Sequence, residues 1–131
     1  MKHFAFISLI LLVGCQSTQN GEVTRFDSNC GDISANARFE LNSSNLPTSQ
    51  KAPRYPINAA RKGTEGYVKF EYNISKEGVP IDIHVIESYP SDTFVRAAKE
   101  SLSSWKFNPV VENNEVVISK CHSVQLDFKM G

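Results

Sequence analysis

The sequence has 131 residues, of which 40% are apolar and 21% are charged. This length provides for one two-layer core but not for two, and the composition is that of a globular protein rather than a disordered or fibrous one. Lysine plus arginine and aspartate plus glutamate each number 14, so the basic excess typical of a nucleic-acid-binding protein is absent. We therefore expect one globular domain and no nucleic-acid partner.

Residues 1–14 have the pattern of a secretory leader. Lys2 gives a positive start, and the apolar run that follows is about 10 residues long, too short to cross roughly 30 Å of hydrocarbon. Residues 12–15 (Leu-Val-Gly-Cys) resemble a bacterial lipobox. The resemblance implies a lipoprotein signal peptide, cleavage before Cys15 and a lipid anchor on that cysteine. The alternative is an ordinary signal peptide that leaves Cys15 as a core or disulfide thiol.

The residues after Cys15 predict how the domain is displayed. Cleavage would remove Lys2 and leave a formal charge of −1. Gln16 stands where an aspartate would favour retention in the inner membrane, so an outer-membrane location is favoured. Residues 15–36 are mostly polar and lack periodicity, which is typical of a solvated tether. We expect a lipid-anchored, periplasm-facing protein whose folded domain occupies residues 37–131.

Export also determines how the two remaining cysteines are interpreted. Cys30 and Cys121 form an even number in an oxidising compartment, so a disulfide between them is the first expectation. It would close a loop of about 90 residues and stabilise the fold by roughly 4–5 kcal/mol in the chain-entropy model. The rival hypothesis is a metal site that uses Cys121 and His122. Adjacent strand residues point to opposite faces, which disfavours a shared metal.

The first half of the domain predicts a helix and a hairpin. Residues 37–41 alternate weakly and could form a short edge strand, after which a loop leads to a helix from Pro56 to Lys62, with Gly63 at its C-terminal cap. A strand begins at Gly66 and is joined through a turn at 75–78 to a partner strand over residues 80–88. The residues expected to face the core are Val68, Phe70, Tyr72, Ile74, Ile81, Ile83 and Val85.

The second half predicts a longer helix and a last strand. Ser91 or Asp92 is the expected N-cap, and the helix ends near Trp105. Its apolar stripe comprises Phe94, Ala97, Ala98, Ser101, Leu102 and Trp105. The last strand runs from about Val116 and directs Val124, Leu126, Phe128 and Met130 toward the core. Two helices on one face of a small antiparallel sheet make an α+β, two-layer sandwich.

No catalytic motif accompanies this pattern. The sequence lacks the G-x-G-x-x-G, P-loop, H-E-x-x-H, C-x-x-C and G-x-S-x-G motifs. His84 and His122 read as ordinary strand histidines, and Asp82, which could bond to His84, has no activated nucleophile beside it. Glu71 and Glu87 are expected as solvated charges on the open sheet face. We therefore expect no enzyme, no cofactor and no metal.

An open sheet still offers a route to function, because the unpaired backbone groups of its edge can accept an extended peptide as an added strand. The alternative is an edge covered by the N-terminal segment that Cys30 holds. Cys121 has the opposite parity to Val124, so a disulfide there would pin this segment across the open face or the edge of the sheet.

Several short motifs, in this order and spacing, resemble the C-terminal domain of TonB proteins over residues 52–130. They are Pro53-Arg54-Tyr55-Pro56, Ala59-Ala60, Glu65-Gly66-Tyr67-Val68, Phe70, Gly78, the strand 83–88 and the helix end Trp105-Lys106-Phe107-Asn108-Pro109. The resemblance implies a periplasmic domain that binds the TonB box of outer-membrane receptors by strand addition. The partner-binding residues that it implies are Pro53, Arg54, Tyr55, Pro56, Ser119, Lys120, Ser123 and Gln125. A homodimer formed by strand exchange is the alternative occupant of the same edge.

Three features depart from that family. TonB proteins have an uncleaved inner-membrane helix that meets a proton-driven motor, whereas this leader ends in a lipobox. They also have a long spacer rich in proline, whereas the predicted tether here, residues 15–36, contains no proline. Finally, Ala52 stands where glutamine is common in the family. We therefore expect a non-enzymatic, TonB-type binding module that serves energy-coupled transmembrane transport, and coupling to the motor is not carried over from the family. The alternative is an envelope assembly adaptor that binds peptidoglycan or another envelope complex.

Overall fold

A computed structural model describes residues 21–31 and 46–131 of the chain. The leader, Cys15 and the predicted strand 37–41 lie outside the described residues. The elements, in chain order, are β1 (Thr24–Arg25), α1 (Ile57–Lys62), β2 (Gly66–Ile74), β3 (Pro80–Tyr89), α2 (Val95–Ser103), β4 (Val110–Glu112), β5 (Glu115–Val117) and β6 (Ser119–Phe128). The predicted α+β architecture, an antiparallel sheet with two helices, is confirmed.

The main sheet has the order β1-β3-β2-β6, and every neighbouring pair is antiparallel. Its central strand, β2, directs one set of alternating side chains into the core, because successive side chains of a strand point to opposite faces. Val68, Phe70, Tyr72 and Ile74 are at most 3% exposed. Ala59 of α1 and Ala98 and Leu102 of α2 belong to the same apolar cluster, so the helices cover this face.

The partner strand β3 follows the predicted pattern only in part. Ile83 and Val85 pack against the core, as predicted, but Ile81 pairs with Asn73, which lies on the opposite face. The cause is a bulge, since the residues between Ile81 and His84 oppose Tyr72 alone. Asp82 occupies the left-handed region there with φ 51°, and Asn73 Nδ2 donates to its carboxylate at 3.0 Å.

The helices agree with the prediction except at one cap. Gly63 ends α1 with φ 66°, and its N–H reaches the carbonyls of Ala59 and Ala60. In contrast, α2 begins at Val95 with Phe94 as its N-cap residue, and no side chain caps it. The predicted caps Ser91 and Asp92 lie in the preceding turn, where the Asp92 carbonyl accepts from Val95 N–H. Phe94 is fully buried, so core packing sets where the helix begins.

The first residues of the predicted last strand, Val116 and Val117, belong to a separate hairpin. Residues 110–117 form the β4–β5 hairpin, whose turn residues Asn113 and Asn114 have φ 51° and 64°, as a two-residue type I′ turn requires. The sheet strand β6 starts after it, at Ser119. Val124, Leu126 and Phe128 are buried as predicted, whereas Met130 is 47% exposed because β6 ends at Phe128.

Candidate functional site

The β6 strand forms one edge of the main sheet. It pairs with β2 on one side, and the other described strands, β1 and β3, lie beyond β2. The pairing is regular from Gly66–Phe128 to Tyr72–His122. Within the described part of the chain, residues 122–128 therefore present a straight backbone edge with no strand paired to it, which is the geometry that strand addition requires.

A bulge separates this regular stretch from the start of β6. Tyr72 pairs with His122 but Ile74 pairs with Ser119, so β6 contributes one extra residue between them. Cys121 has φ 62° at this point, and its N–H donates to Asn73 Oδ1 at 2.9 Å. Of the predicted site residues, Lys120 lies in the bulge beside Cys121 and Ser119 lies beyond it, so only Ser123 and Gln125 belong to the regular edge.

His122 faces the helices rather than the open face. Its ring lies 5.7 Å from that of Tyr72, and its Nε2 is 2.7 Å from Ser119 Oγ. Burial lowers the pKa of His122, because desolvation penalises the charged imidazolium. The neutral ring therefore acts as a packed, hydrogen-bonded core residue at the end of the regular edge.

The segment Pro53–Pro56 approaches β6 through one side chain. Tyr55 packs edge-on against Phe94 and Phe128 with ring centroids 5.6 and 5.8 Å apart. Its hydroxyl donates to the Thr64 carbonyl at 2.5 Å. Burial raises the pKa of Tyr55, with a further contribution from the charge of Glu65. Tyr55 is thus a structural link between this segment and the C-terminal end of the edge strand.

The remaining residues of that segment lie elsewhere. Pro53 and Arg54 line a shallow groove against α2, beside Glu100 and Ser101. Pro56 is the N-cap residue of α1. The structure therefore does not gather the eight predicted partner-binding residues into one patch. It divides them among the groove on α2, the packing of Tyr55 against Phe94 and Phe128, the N-cap of α1, the regular edge, and the start of β6 with its bulge.

Residues 21–31, the N-terminal strap, cross the outer face of the sheet. Thr24 and Arg25 pair with Ser88 and Glu87 at the edge of β3. The strap then passes His84, whose Nε2 lies 2.8 Å from the Asp27 carbonyl oxygen. It ends at Cys30, which the structure joins to Cys121 with a Cα–Cα distance of 5.8 Å. Part of the predicted tether is therefore packed on the sheet.

The strap changes the environment of Glu71. Glu71 is only 5% exposed, and its carboxylate accepts hydrogen bonds from the Ser28 hydroxyl and, at 3.0 Å, from the Asn29 N–H. The expectation that Glu71 is a solvated surface charge is wrong, because both donors come from a segment more than 40 positions away. The bonded serine and asparagine lie in a polar stretch that gave no periodic signal.

Glu87 is the centre of a second group of polar residues on the outer face, separate from the one around Glu71. It accepts from Tyr67 Oη at 2.5 Å and forms ion pairs with Arg25 and Lys69 at 3.5 and 3.6 Å. Partial burial raises the pKa of Glu87, but the Tyr67 hydrogen bond and the two cations outweigh it, so the pKa lies below its ordinary value. The same hydrogen bond, followed by burial, raises the pKa of Tyr67 to about 12.

Neither the polar group around Glu71 nor the one around Glu87 has the composition of a metal centre. Among residues 21–31 and 46–131, no group of three or more histidine, cysteine, aspartate and glutamate side chains is placed to hold a metal ion. The same residues contain no helix that is long and apolar enough to cross a membrane.

Comparison with known proteins gives a consistent set of matches. The family profile described as "Gram-negative bacterial TonB protein C-terminal" matches residues 51–130. Protein TonB of Pseudomonas aeruginosa is 37% identical over 78 residues, which are 59% of this chain and 23% of the relative. Protein TonB of Yersinia enterocolitica is 32% identical over 83 residues, 63% of this chain and 30% of the relative. The matched region is thus less than a third of each relative's length.

Two solved structures resemble this one. The solution NMR structure of the Pseudomonas aeruginosa TonB CTD has a TM-score of 0.58 and 32% identity, covering 68% of this chain and 89% of that one. The TonB2 protein from Vibrio anguillarum has a TM-score of 0.51 and 29% identity, covering 66% of this chain and 81% of that one.

Proposed function

Because this chain belongs to the family of TonB C-terminal domains, we propose that it is a non-enzymatic binding module of the cell envelope. Its partner is the TonB box of outer-membrane receptors, bound as an extended strand on the β6 edge. In this role it contributes to TonB-type, energy-coupled transport across the outer membrane. The observation that supports this proposal most directly is the regular, unpaired backbone edge of residues 122–128.

The two edges of the main sheet differ in a way that favours β6. The β3 edge is paired with β1 at Ser88 and Glu87 and is interrupted by bulges. Bulges and short covering strands are the usual means by which proteins prevent strand addition. The β6 edge has a bulge only at its start, so a partner strand could form successive backbone hydrogen bonds along residues 122–128.

Strand addition would also give the family segment at Pro53–Pro56 an indirect role. Tyr55 packs on Phe128, the last residue of the edge, so it supports the end of the strand to which the peptide adds. We propose that Tyr55 positions the edge, while Ser123 and Gln125 flank the added strand. Arg54, which is exposed beside α2, would contact the receptor outside the added strand.

The lipid anchor at Cys15 is a second part of the proposal, and the lipobox at residues 12–15 supports it. The anchor would place this binding module on a membrane facing the periplasm, with the outer membrane favoured. A Cys15→Ser variant should lose the acyl mass and appear in the soluble envelope fraction, as measured by mass spectrometry and fractionation. Unchanged membrane retention of this variant would contradict the proposed anchor.

The strand-addition proposal can be tested in cells by disulfide trapping of the full chain. Gln125→Cys should cross-link to a receptor that carries a cysteine in its TonB box. Glu77→Cys, in the exposed turn between β2 and β3, is the matched control and should not. The same receptor with proline at alternate TonB-box positions should lose the cross-link, because proline removes the backbone donors that the ladder needs.

Two outcomes would replace this proposal. If Gln125→Cys cross-links no receptor but binds peptidoglycan or another envelope complex, the assembly-adaptor hypothesis takes precedence. If Gln125→Cys forms a cross-linked dimer of the chain instead, the edge serves strand exchange between two copies. A cross-link of equal yield from Glu77→Cys would show that the trapping reports only proximity.

A further inference from the structure

The exposed side chains along the β6 edge carry opposite charges at its two ends. Asp127 lies at the C-terminal end and is exposed, whereas Lys120 lies at the N-terminal end, in the bulge, and is also exposed. Ser123 and Gln125, which lie between them on the outer face, are uncharged. At about 3.3 Å per strand residue, the two charges are separated by roughly 20 Å.

Neither Asp127 nor Lys120 forms an ion pair within the described chain. The ion pairs of residues 21–31 and 46–131 involve other side chains, and Asp127 accepts only an amide hydrogen bond from Gln125 at 2.7 Å. Glu65 and Lys129 line the same groove as Asp127. The charged residues that line this groove are two carboxylates and one ammonium group, a formal charge of −1. Lys69, which pairs with Gln125 across the strands, forms an ion pair with Glu87.

We propose that this charge separation selects and orients the added strand. The strand carries a lysine or arginine near the Asp127 end of β6 and an aspartate or glutamate near the Lys120 end. This inference rests on strand addition at β6, the proposed function, and adds the charge pattern of the partner to it. Opposite charges on directly neighbouring strands stabilise pairing, and like charges destabilise it.

The charge pattern has a directional consequence. A peptide with its basic residue at the N-terminus and its acidic residue at the C-terminus should add antiparallel to β6. A peptide of the same composition with the two charges exchanged should add in the parallel direction, because its basic end is still drawn to Asp127. Peptides with two basic or two acidic ends should bind more weakly in either direction.

The test uses the full chain in a neutral detergent and four synthetic peptides of about nine residues, enough to span the edge. Each alternates threonine and valine between end residues that are Lys/Glu, Glu/Lys, Lys/Lys or Glu/Glu. Affinity is measured by fluorescence anisotropy, and a spin label at one end of each peptide reports its direction through broadening of the β6 amide signals. Each mixed-charge peptide is expected to bind about fivefold more tightly than either like-charged one, because one unfavourable exposed pair is replaced by a favourable one.

A charge exchange in the protein provides the decisive comparison. The double variant Lys120→Glu with Asp127→Lys keeps the net charge and should reverse the direction of both mixed peptides. Lys76→Glu with Glu77→Lys makes the same exchange in the β2–β3 turn and should change neither direction nor affinity. The preference should also weaken as salt is raised, because exposed pairs are screened.

The outcomes separate this inference from the proposed function. If all four peptides bind at β6 with equal affinity, strand addition holds and charge selection is wrong. If the direction does not follow the basic end, or the exchange at 120 and 127 leaves it unchanged, the inference is also wrong. If no peptide perturbs the β6 amides at millimolar concentration, strand addition and charge selection both fail.

Discussion

The two faces of the main sheet are covered in different ways. On the helix-covered face, Phe70, Phe94 and Leu102 are fully buried in one apolar cluster. On the outer face, burial of Glu71 depends on two hydrogen bonds from the strap, and the strap is tied down by one covalent bond. Burial of the helix-covered face is determined by local side-chain periodicity. Burial of the outer face depends on a few contacts between residues that are distant in sequence, so single substitutions there should have separable effects.

The largest expected effect is the loss of the covalent link on the outer face. The double variant Cys30→Ser with Cys121→Ser should lose about 4–5 kcal/mol of unfolding free energy in the chain-entropy model, because 91 positions separate the two cysteines. Denaturant unfolding of the oxidised wild type and the variant measures the difference. Reductant should leave the double variant unchanged. Equal midpoints for variant and oxidised wild type would mean that the strap is not covalently held.

On the helix-covered face, Phe70→Ala should lower the unfolding free energy by about 3–5 kcal/mol, since it leaves a cavity at a fully buried position. Lys76→Ala, in the exposed β2–β3 turn, should change it by no more than about 0.5 kcal/mol. Hydrogen exchange should show faster opening throughout β2, β3 and β6 in Phe70→Ala. Exchange confined to the strap would contradict the assignment of Phe70 to the shared core.

A smaller effect is expected where the strap contacts the sheet. Glu71→Gln replaces a carboxylate that accepts two hydrogen bonds with an amide that has one acceptor oxygen, so we expect a loss of about 1–2 kcal/mol. The Asn29 amide should exchange faster while the β2 amides remain protected. Glu77→Gln is the matched exposed control. Unchanged protection of Asn29 would contradict a role for the Glu71 hydrogen bonds in holding the strap.

The smallest expected effect is at Glu87. Its folded pKa lies below the ordinary value of 4.5, so its contribution to stability is complete above that value and is lost as pH falls through the lowered folded pKa. Tyr67→Phe removes one of the interactions that lower this pKa. It should cost about 0.5–1.5 kcal/mol near neutral pH and less in acid. Unfolding curves across the acidic range measure this, and an equal loss at every pH would contradict the coupling.

The helix-covered face could be predicted from the sequence because its information is local. Alternation of Val68, Phe70, Tyr72 and Ile74 determines one face of β2, and Gly63 marks the end of α1 through its positive φ. The chain order of helix, hairpin, helix and strand follows from signals of this kind. Because each of these signals depends only on residues close together in the sequence, they were sufficient to predict the fold class.

The outer face could not be predicted in the same way. Alternation placed Ile81 in the core, but a bulge at Asp82 moves it to the other face, and no local signal marks the extra residue. Glu71 was expected in solvent because its hydrogen-bond donors lie in a polar segment without periodicity. The predicted site was divided for a related reason, since Lys120 and Cys121 form a bulge that takes Lys120 out of the regular edge. Motif spacing alone cannot reveal that separation.

The bond between Cys30 and Cys121 also determines how the domain responds to mechanical tension. A pull on the chain from the N-terminal side of Cys30 first loads the contacts of the strap with β3, and once these yield it passes through the two sulfur atoms into the start of β6. The residues between the two cysteines, which include both helices and the hairpins, are thereby excluded from the load path and cannot be drawn out. If a partner strand added to β6 opposes the pull, the load is carried between these two strands. It then acts as shear along the backbone hydrogen bonds that join them.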